Sequence, residues 1–374
     1  MQSDITPIPI FASFSGAGGV ERMLINLMQG FVEAGRAVDL LAVRSRGPHA
    51  RQIPASVRRI DLGAQHTVTA VPALAAYLRR ARPPVLLVAK DRAGRAAVIA
   101  RRLAGVETRL LLRLGTTLSA AMAERSALAR FLRYQPIRWL YSSIDQIIAV
   151  SDGVAEDTAR IAGYPRERIR VIRNPVITPE LLAQAGEPCP HPWFSNMARA
   201  HSPVIVGAGR LERQKDFPGL IRAFARLHGQ RPCRLVILGD GNERPALKAL
   251  AHAHGIAGAV DLPGFTPNLA SYLANADVFV LSSLWEGSPN VLTEAMALGI
   301  PVVATDCPSG PREILAGGRH GGLVPVADTP ALAQAMAEAL DARVTGVQLT
   351  NTVDAYRQEY SVQRYLELIE RSEC

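Results

Sequence analysis

The sequence predicts an α/β fold made of two successive parallel-sheet halves. Three observations carry that prediction. Short apolar runs, among them 8–14, 85–89, 109–114, 235–238 and 277–282, read as strands buried on both faces. A stretch with helical spacing follows nearly every one, which is the repeat of a parallel sheet with crossover helices. Between the two series the pattern breaks at Pro188, Pro190 and Pro192, a proline cluster typical of a linker. The expected division is a first domain over 1–185, a linker over 186–203, a second domain over 204–350, and a last helix in 351–374 that returns to the first. A chain of 374 residues with 48% apolar side chains is long enough for two separate cores.

In the first half, the strand at 8–14 runs into Ser15-Gly16-Ala17-Gly18-Gly19 and a helix over 20–34. Glycines there let backbone approach a ligand closely or simply permit a tight turn. No G-x-G-x-x-G is present and no acidic partner follows the next strand, which argues against a dinucleotide cofactor. A strand at 38–43, a basic loop, a helix at 72–80, a strand at 85–89 and a helix at 94–103 continue the alternation. The strand at 109–114 ends in Gly115-Thr116-Thr117. Residues 118–139 read as one basic helix, with Arg125, Arg130, Arg133 and Arg138 among Leu128, Phe131, Leu132, Tyr134 and Trp139. Two readings stand for it: an apolar stripe in the core, or a face laid on an anionic bilayer. A strand at 146–150, a helix opened by Ser151 and a strand at 169–172 complete this half, and Pro175 holds Asn174 extended.

In the second half, the strand at 204–206 leads to Gly207-Ala208-Gly209-Arg210-Leu211 and then Lys215. An arginine fork and a lysine point charge at the mouth of a strand-to-helix loop suit a diphosphate. Strands at 235–238 and 260–262 follow, the second running into Gly264 and Phe265. Residues 277–306 read as strand, loop, helix, strand. In that loop Ser288 is placed to cap the helix and Pro289 to take its first position. A helix start favours phosphate, whereas Glu286 and Glu294 would repel it; carboxylates fit if they accept hydrogen bonds from sugar hydroxyls. A phosphorylated polyhydroxyl ligand such as a nucleotide sugar satisfies both.

The full string, EGSPNVLTEAMALGIPVVATD followed by CPSGPREIL, resembles the Glu-x7-Glu signature of retaining family 4 glycosyltransferases. The resemblance spans most of the chain, is densest over 204–315, and implies the GT-B architecture: two facing Rossmann-like domains with an interdomain cleft. It implies that Glu286 contacts the donor sugar, that Glu294 contacts the ribose, and that Arg210 and Lys215 clamp the donor phosphates. With Glu286, those two cations are the expected catalytic set. Gly287, Ser288, Pro289, Asn290 and Val291 join the donor site, as do Gly264 and Phe265 at the base pocket. Gly18 and Gly19 correspond to the family's N-terminal glycine loop. The family carries a histidine near the place of Gly115, which this sequence lacks, so attention moves to Thr116, Thr117 and backbone groups.

Residues 1–185 carry a net charge of +12 and residues 186–374 carry −3, together the +9 of the chain. A basic first half implies an anionic partner there. Aromatics are few and no nucleic-acid motif is present, so a phosphorylated or lipid-linked glycan acceptor and an anionic membrane surface fit better. Four scattered cysteines suit a reducing cytoplasm. No metal site, cofactor, signal peptide or membrane span is expected. The expectation is a cytoplasmic transferase, peripheral on the inner membrane face, moving a hexose or N-acetylhexosamine from a UDP-sugar to a lipid-linked or cell-surface polysaccharide or lipopolysaccharide intermediate. A soluble small-molecule transferase and a non-catalytic nucleotide-binding component are the alternatives.

Overall fold

A computed structural model of the chain describes residues 6–14, 18–45, 48–122, 125–195, 202–342 and 349–371. The first of its two sheets is built in chain order from β1 (Ile8–Phe14), α1 (Gly19–Glu33), β2 (Val38–Ser45), β3 (Arg58–Asp61), α2 (Val71–Ala81) and β4 (Val85–Ala89). It continues through α3 (Asp91–Ala104), β5 (Arg109–Leu114), α4 (Ala127–Tyr141), β6 (Gln146–Ala149), α5 (Asp152–Ala162) and β7 (Ile169–Val171). The strands pair in parallel in the order β3-β2-β1-β4-β5-β6-β7. Successive side chains of a strand point to opposite faces. Thus Phe11 enters one core layer while Ile8, Ile10 and Ala12 enter the other.

Two elements of this half differ from expectation. β3 is an edge strand of sequence Arg-Arg-Ile-Asp whose single apolar residue gives no period to read. The helix expected over 118–139 is shorter at its start. Ala120–Met122 is an isolated tight turn, and α4 begins only after Ser126, whose hydroxyl accepts from the Ala129 N–H.

The second sheet follows α6 (Pro179–Ala185) and comprises β8 (Val204–Ala208), α7 (Phe217–His228), β9 (Arg234–Leu238), α8 (Arg244–Ala253), β10 (Val260–Gly264) and α9 (Leu269–Ala274). Then come β11 (Val278–Leu281), α10 (Asn290–Ala297), β12 (Val302–Thr305), α11 (Pro311–Ile314), β13 (Gly322–Val324) and α12 (Thr329–Asp341). Its parallel order is β10-β9-β8-β11-β12-β13. A last helix, α13 (Gln358–Glu370), belongs to the first unit. There Val362, Tyr365, Leu368 and Ile369 join one core layer, Tyr365 standing edge-on to Phe31 at 6.4 Å.

The two units are 1–175 with 358–374, and 176–357. The boundary therefore falls at Pro175 and Val176, not at 185, and the stretch expected as linker is part of the second unit. The reason is packing. Val176, Ile177 and Phe194 are buried in the second core, and the Val176 and Ile177 N–H groups both donate to the Tyr356 carbonyl. Residues 196–201 of the expected linker lie outside the described residues.

Candidate functional site

An open parallel sheet takes ligands beyond its strand C-termini, where the strand order reverses. In the second unit the chain moves outward through β8, β9 and β10, then resumes at β11 on the other side of β8. The loops after β8 and β11 therefore bracket the crevice, and they hold most of the expected donor residues.

Lys215 ends the first loop and Glu286 sits in the second. The Lys215 ammonium donates to Glu286 Oε1 at 2.5 Å, and the Ser283 hydroxyl donates to the same oxygen at 2.7 Å. Both members of the pair are largely buried. Further bonds fix the two loops to each other. The Ser282 hydroxyl donates to the Lys215 carbonyl at 2.7 Å, the Leu284 N–H to the Gln214 carbonyl at 2.8 Å, and the Gln214 amide to the Trp285 carbonyl at 2.9 Å. Thr305, at the end of β12, donates to the Ser283 carbonyl at 2.6 Å. Cys307 lies beside the pair; burial first, and then the Glu286 charge, push its thiol up to about 12. Sequence reasoning missed Ser282, Ser283, Gln214 and Cys307, because a single chain gives no sign that these polar residues meet.

Arg210 lies apart from the pair. Its half-exposed guanidinium contacts Glu212 at 2.9 Å and Gln214 at 3.4 Å, leaving it on the rim. The rim is continuous with the ends of β9 and β10. The Gly209 N–H donates to the Leu238 carbonyl, and the Gly239 N–H donates to the Gly264 carbonyl at 2.8 Å. Gly239 must be glycine: with φ at 131°, a Cβ there would lie 1.9 Å from the Gly209 carbonyl oxygen. Arg244, also missed from sequence, ties the same corner by donating to the Leu262 and Gly239 carbonyls. Phe265 follows Gly264 and is exposed.

The expected cap is not formed as the sequence suggests. Pro289 is itself the cap residue of α10, with ψ at 100°, and no side chain closes the helix start. The Ser309 hydroxyl donates to the Gly287 carbonyl in the same loop at 2.9 Å. The Ser288 hydroxyl is buried without a hydrogen-bond partner. Asn290 and Val291 form the first turn, and Glu294 is buried within the helix.

Gly18, Gly19, Gly115, Thr116 and Thr117 belong to the first unit, at the C-terminal ends of β1 and β5. Ser15, Gly16 and Ala17 lie outside the described residues. Gly18 caps α1, and Gly19 is its first residue. A Cβ at Gly115 would lie 2.5 Å from the Arg113 guanidinium, so that arginine fills the room a side chain at 115 would need. Thr116 is exposed and Thr117 buried. Among the described residues no three His, Cys, Asp or Glu side chains are grouped so as to hold a metal ion.

Two family models match: glycosyl transferases group 1 over residues 202–342 and glycosyltransferase family 4 over residues 17–179. The chain belongs to the family 4, group 1 glycosyltransferases. Among curated members, the lipopolysaccharide core biosynthesis glycosyltransferase LpsE of Rhizobium meliloti is 33% identical over 61% of this chain and 65% of its own. The Campylobacter jejuni N-acetylgalactosamine-N,N'-diacetylbacillosaminyl-diphospho-undecaprenol 4-alpha-N-acetylgalactosaminyltransferase is 30% identical over 64% of this chain and 62% of its own. The chain thus spans less than two thirds of these relatives. Anabaena HepE, solved in complex with UDP and glucose, superposes with a TM-score of 0.76 at 20% identity, covering 98% of this chain and all of that one. That likeness shows the GT-B glycosyltransferase fold, with a Rossmann-like domain in each unit. No helix among the described residues is long and apolar enough to cross a membrane.

Proposed function

We propose that this family 4 member transfers a hexose or N-acetylhexosamine, with retention, from a UDP-sugar to a lipid-linked or surface-polysaccharide intermediate. The observation that carries this reading is the buried Lys215–Glu286 pair at the second unit's switch point, beside a helix start without a side-chain cap. Lys215 and Arg210 take the diphosphate, together with the first-turn N–H groups of α10. Glu286 and Glu294 accept from hydroxyls of the sugar and ribose, and the Ser288 hydroxyl has a bond to give. The bond from the anomeric carbon to the diphosphate oxygen breaks, and the electron pair leaves with UDP. The acceptor hydroxyl attacks from the same face and passes its proton to the departing oxygen. The two cations and the helix end meet the charge on that oxygen, so the reading requires no metal ion. The HepE complex supports UDP as the nucleotide, and the names of LpsE and the Campylobacter enzyme support the acceptor class.

The lipid-linked acceptor draws support from α4. Its Leu128, Phe131, Leu132 and Trp139 share one outward stripe and are 57–68% exposed, while Arg125 and Arg138 flank them. Ile137, Leu140 and Tyr141 face inward instead. Arg133 and the Tyr141 hydroxyl fasten the helix to Asp91 on α3. An apolar stripe edged by arginines suits the headgroup region of an anionic bilayer at the inner face of the cytoplasmic membrane.

The test is turnover of a panel of nucleotide sugars, with phosphatidylcholine vesicles and with vesicles of equal parts phosphatidylcholine and phosphatidylglycerol. Turnover of one UDP-sugar, lost in Lys215→Ala, is the expected result. Binding of UDP without turnover of any donor would instead favour a non-catalytic component. The double variant F131S/W139S is expected to stay in solution when wild type floats with the anionic vesicles.

A further inference from the structure

The second unit carries a groove that the proposed donor site does not use. It is lined by Arg222, Ala225, Arg226, His254 and Thr329 and measures about 470 Å³. Clefts that hold small molecules run from roughly 300 to 1,000 Å³. Arg222 and Arg226 lie one turn apart on the exposed side of α7, with the small Ala225 between them. His254 ends α8, and Thr329 is the first residue of α12. Three helices thus meet at this groove.

Two observations point to an anionic ligand. The first is that its arginines are left without partners. Elsewhere in the unit Arg210, Arg231, Arg244, Arg312 and Arg357 sit in ion pairs, and Arg234 lies over the Trp193 ring. Among the described residues nothing hydrogen-bonds or ion-pairs with Arg222 or Arg226. Asp216, a carboxylate whose charge Arg222 does feel, already accepts from the Gly219 N–H. The acids of α12 and its cap are committed too: Asp328 to the Ala331 N–H, Glu338 to Gln334 and Asp341 to Arg231. The second observation is the sign of the surface. Residues 186–374 carry −3 overall, yet α7 and α8 hold arginine and lysine and no acid. Arg226 stands in the last turn of α7 and complements the negative helix end; Arg222 is a turn too early for that. Like charges four residues apart repel, so the pair gains from an anion that bridges it.

We infer that this groove binds a phosphate monoester of sugar size. The Arg222 and Arg226 forks take the phosphate oxygens, which a planar guanidinium matches two at a time. His254 and the Thr329 hydroxyl bond to hydroxyls of the carbon skeleton. The ester arrives either free, as a sugar phosphate, or as the headgroup of phosphatidic acid.

The experiment titrates the full chain, saturated with UDP, with glucose 6-phosphate and with glucose. Vesicles of phosphatidylcholine and phosphatidic acid are tested in the F131S/W139S background, so that α4 does not contribute. The phosphate ester should bind and glucose should not. The double variant R222Q/R226Q should weaken the ester about tenfold or more, the size of the lost charge-assisted bonds. R222K/R226K, which keeps the charge without the fork, should retain part of the affinity. Lys248→Gln removes an exposed cation of α8 outside the groove and should change nothing. Melting temperatures check that each variant is folded. A loss seen with the soluble ester assigns the phosphate to a free metabolite, and one seen with the vesicles alone assigns it to lipid. A wild type that binds neither probe, or a folded R222Q/R226Q that binds as wild type does, would overturn the site. An equal loss in Lys248→Gln would also overturn it, as the mark of a diffuse positive surface. UDP affinity of R222Q/R226Q should match wild type; a fall would make these arginines supports of the donor loop and end the case for a separate site.

Discussion

The two sheets reverse direction at matching places, and each reversal is marked by a lysine paired with a glutamate. The surroundings differ. In the second unit the pair comes from two loops, and Ser282, Ser283, Gln214 and Thr305 bond those loops to one another. In the first unit Glu21 comes from a helix, Lys90 stands on strained backbone, and the buried Arg113 is held by Asn174 and Tyr365. The second-unit crevice has its two loops bonded to each other before any ligand arrives. A site that must stabilise a leaving group gains from being assembled beforehand, because no reorganisation is then needed at the moment of reaction.

The strongest way to break this contrast is to unpair the second-unit site. Glu286→Ala should lower kcat/KM for transfer about a hundredfold or more, measured with the donor that wild type turns over. An equal loss from Glu21→Ala in the same assay would erase the distinction between the two pairs. Gly239→Ala should come next. A methyl 1.9 Å from the Gly209 carbonyl forces the β8 and β9 loops apart, costing about 3 kcal/mol in denaturant unfolding and weakening UDP binding. Gly115→Ala meets the end of a side chain, not backbone, at 2.5 Å, so its expected cost is smaller, about 1–2 kcal/mol. That variant should disturb the first unit alone and leave UDP affinity as it was.

The smallest expected effect concerns pH. Burial pushes the Cys233 thiol from 9.0 to about 11 and the Cys307 thiol from 9.0 to about 12. Each is neutral in the folded chain while the unfolded thiol ionises above 9. The stability they lend is complete below pH 9 and is lost as pH rises towards 11 and 12. Unfolding free energies from urea titrations should fall by about 1 kcal/mol per thiol between pH 8 and 10, and Cys307→Ala should flatten that slope.

Much of the architecture was legible because buried parallel strands write themselves as apolar runs. The runs at 85–89 and 109–114 became β4 and β5 without change. β3 escaped because Arg58, Arg59 and Asp61 leave one apolar residue, and α9 because its six residues hold too few turns for a period. The helix after Ser126 was overextended because Leu118 and Met122 continue its apolar spacing. Lys215 and Glu286 could be named from their motif, but their bond joins positions 71 apart. Lys90 and Arg113 gave no signal, since a lysine at a strand end and an arginine inside one look like solvated charges until burial and φ are known. Ser288 misled because a serine before a proline looks like a cap, whereas the helix starts one residue later and Pro289 takes the cap position.

The assignment of α13 to the first unit has a consequence for how the molecule is made. Val362, Tyr365, Leu368 and Ile369 fill the layer over α1, and Gln358 donates to the Asn26 carbonyl at 2.7 Å. During synthesis the first 175 residues emerge early, yet their core lacks one wall until residues 358–370 have left the ribosome. The second unit, contiguous from 176 to 357, has all its parts sooner. The later half of the message is therefore expected to finish folding first, with the earlier half waiting, its α1 face uncovered, for the tail that closes it.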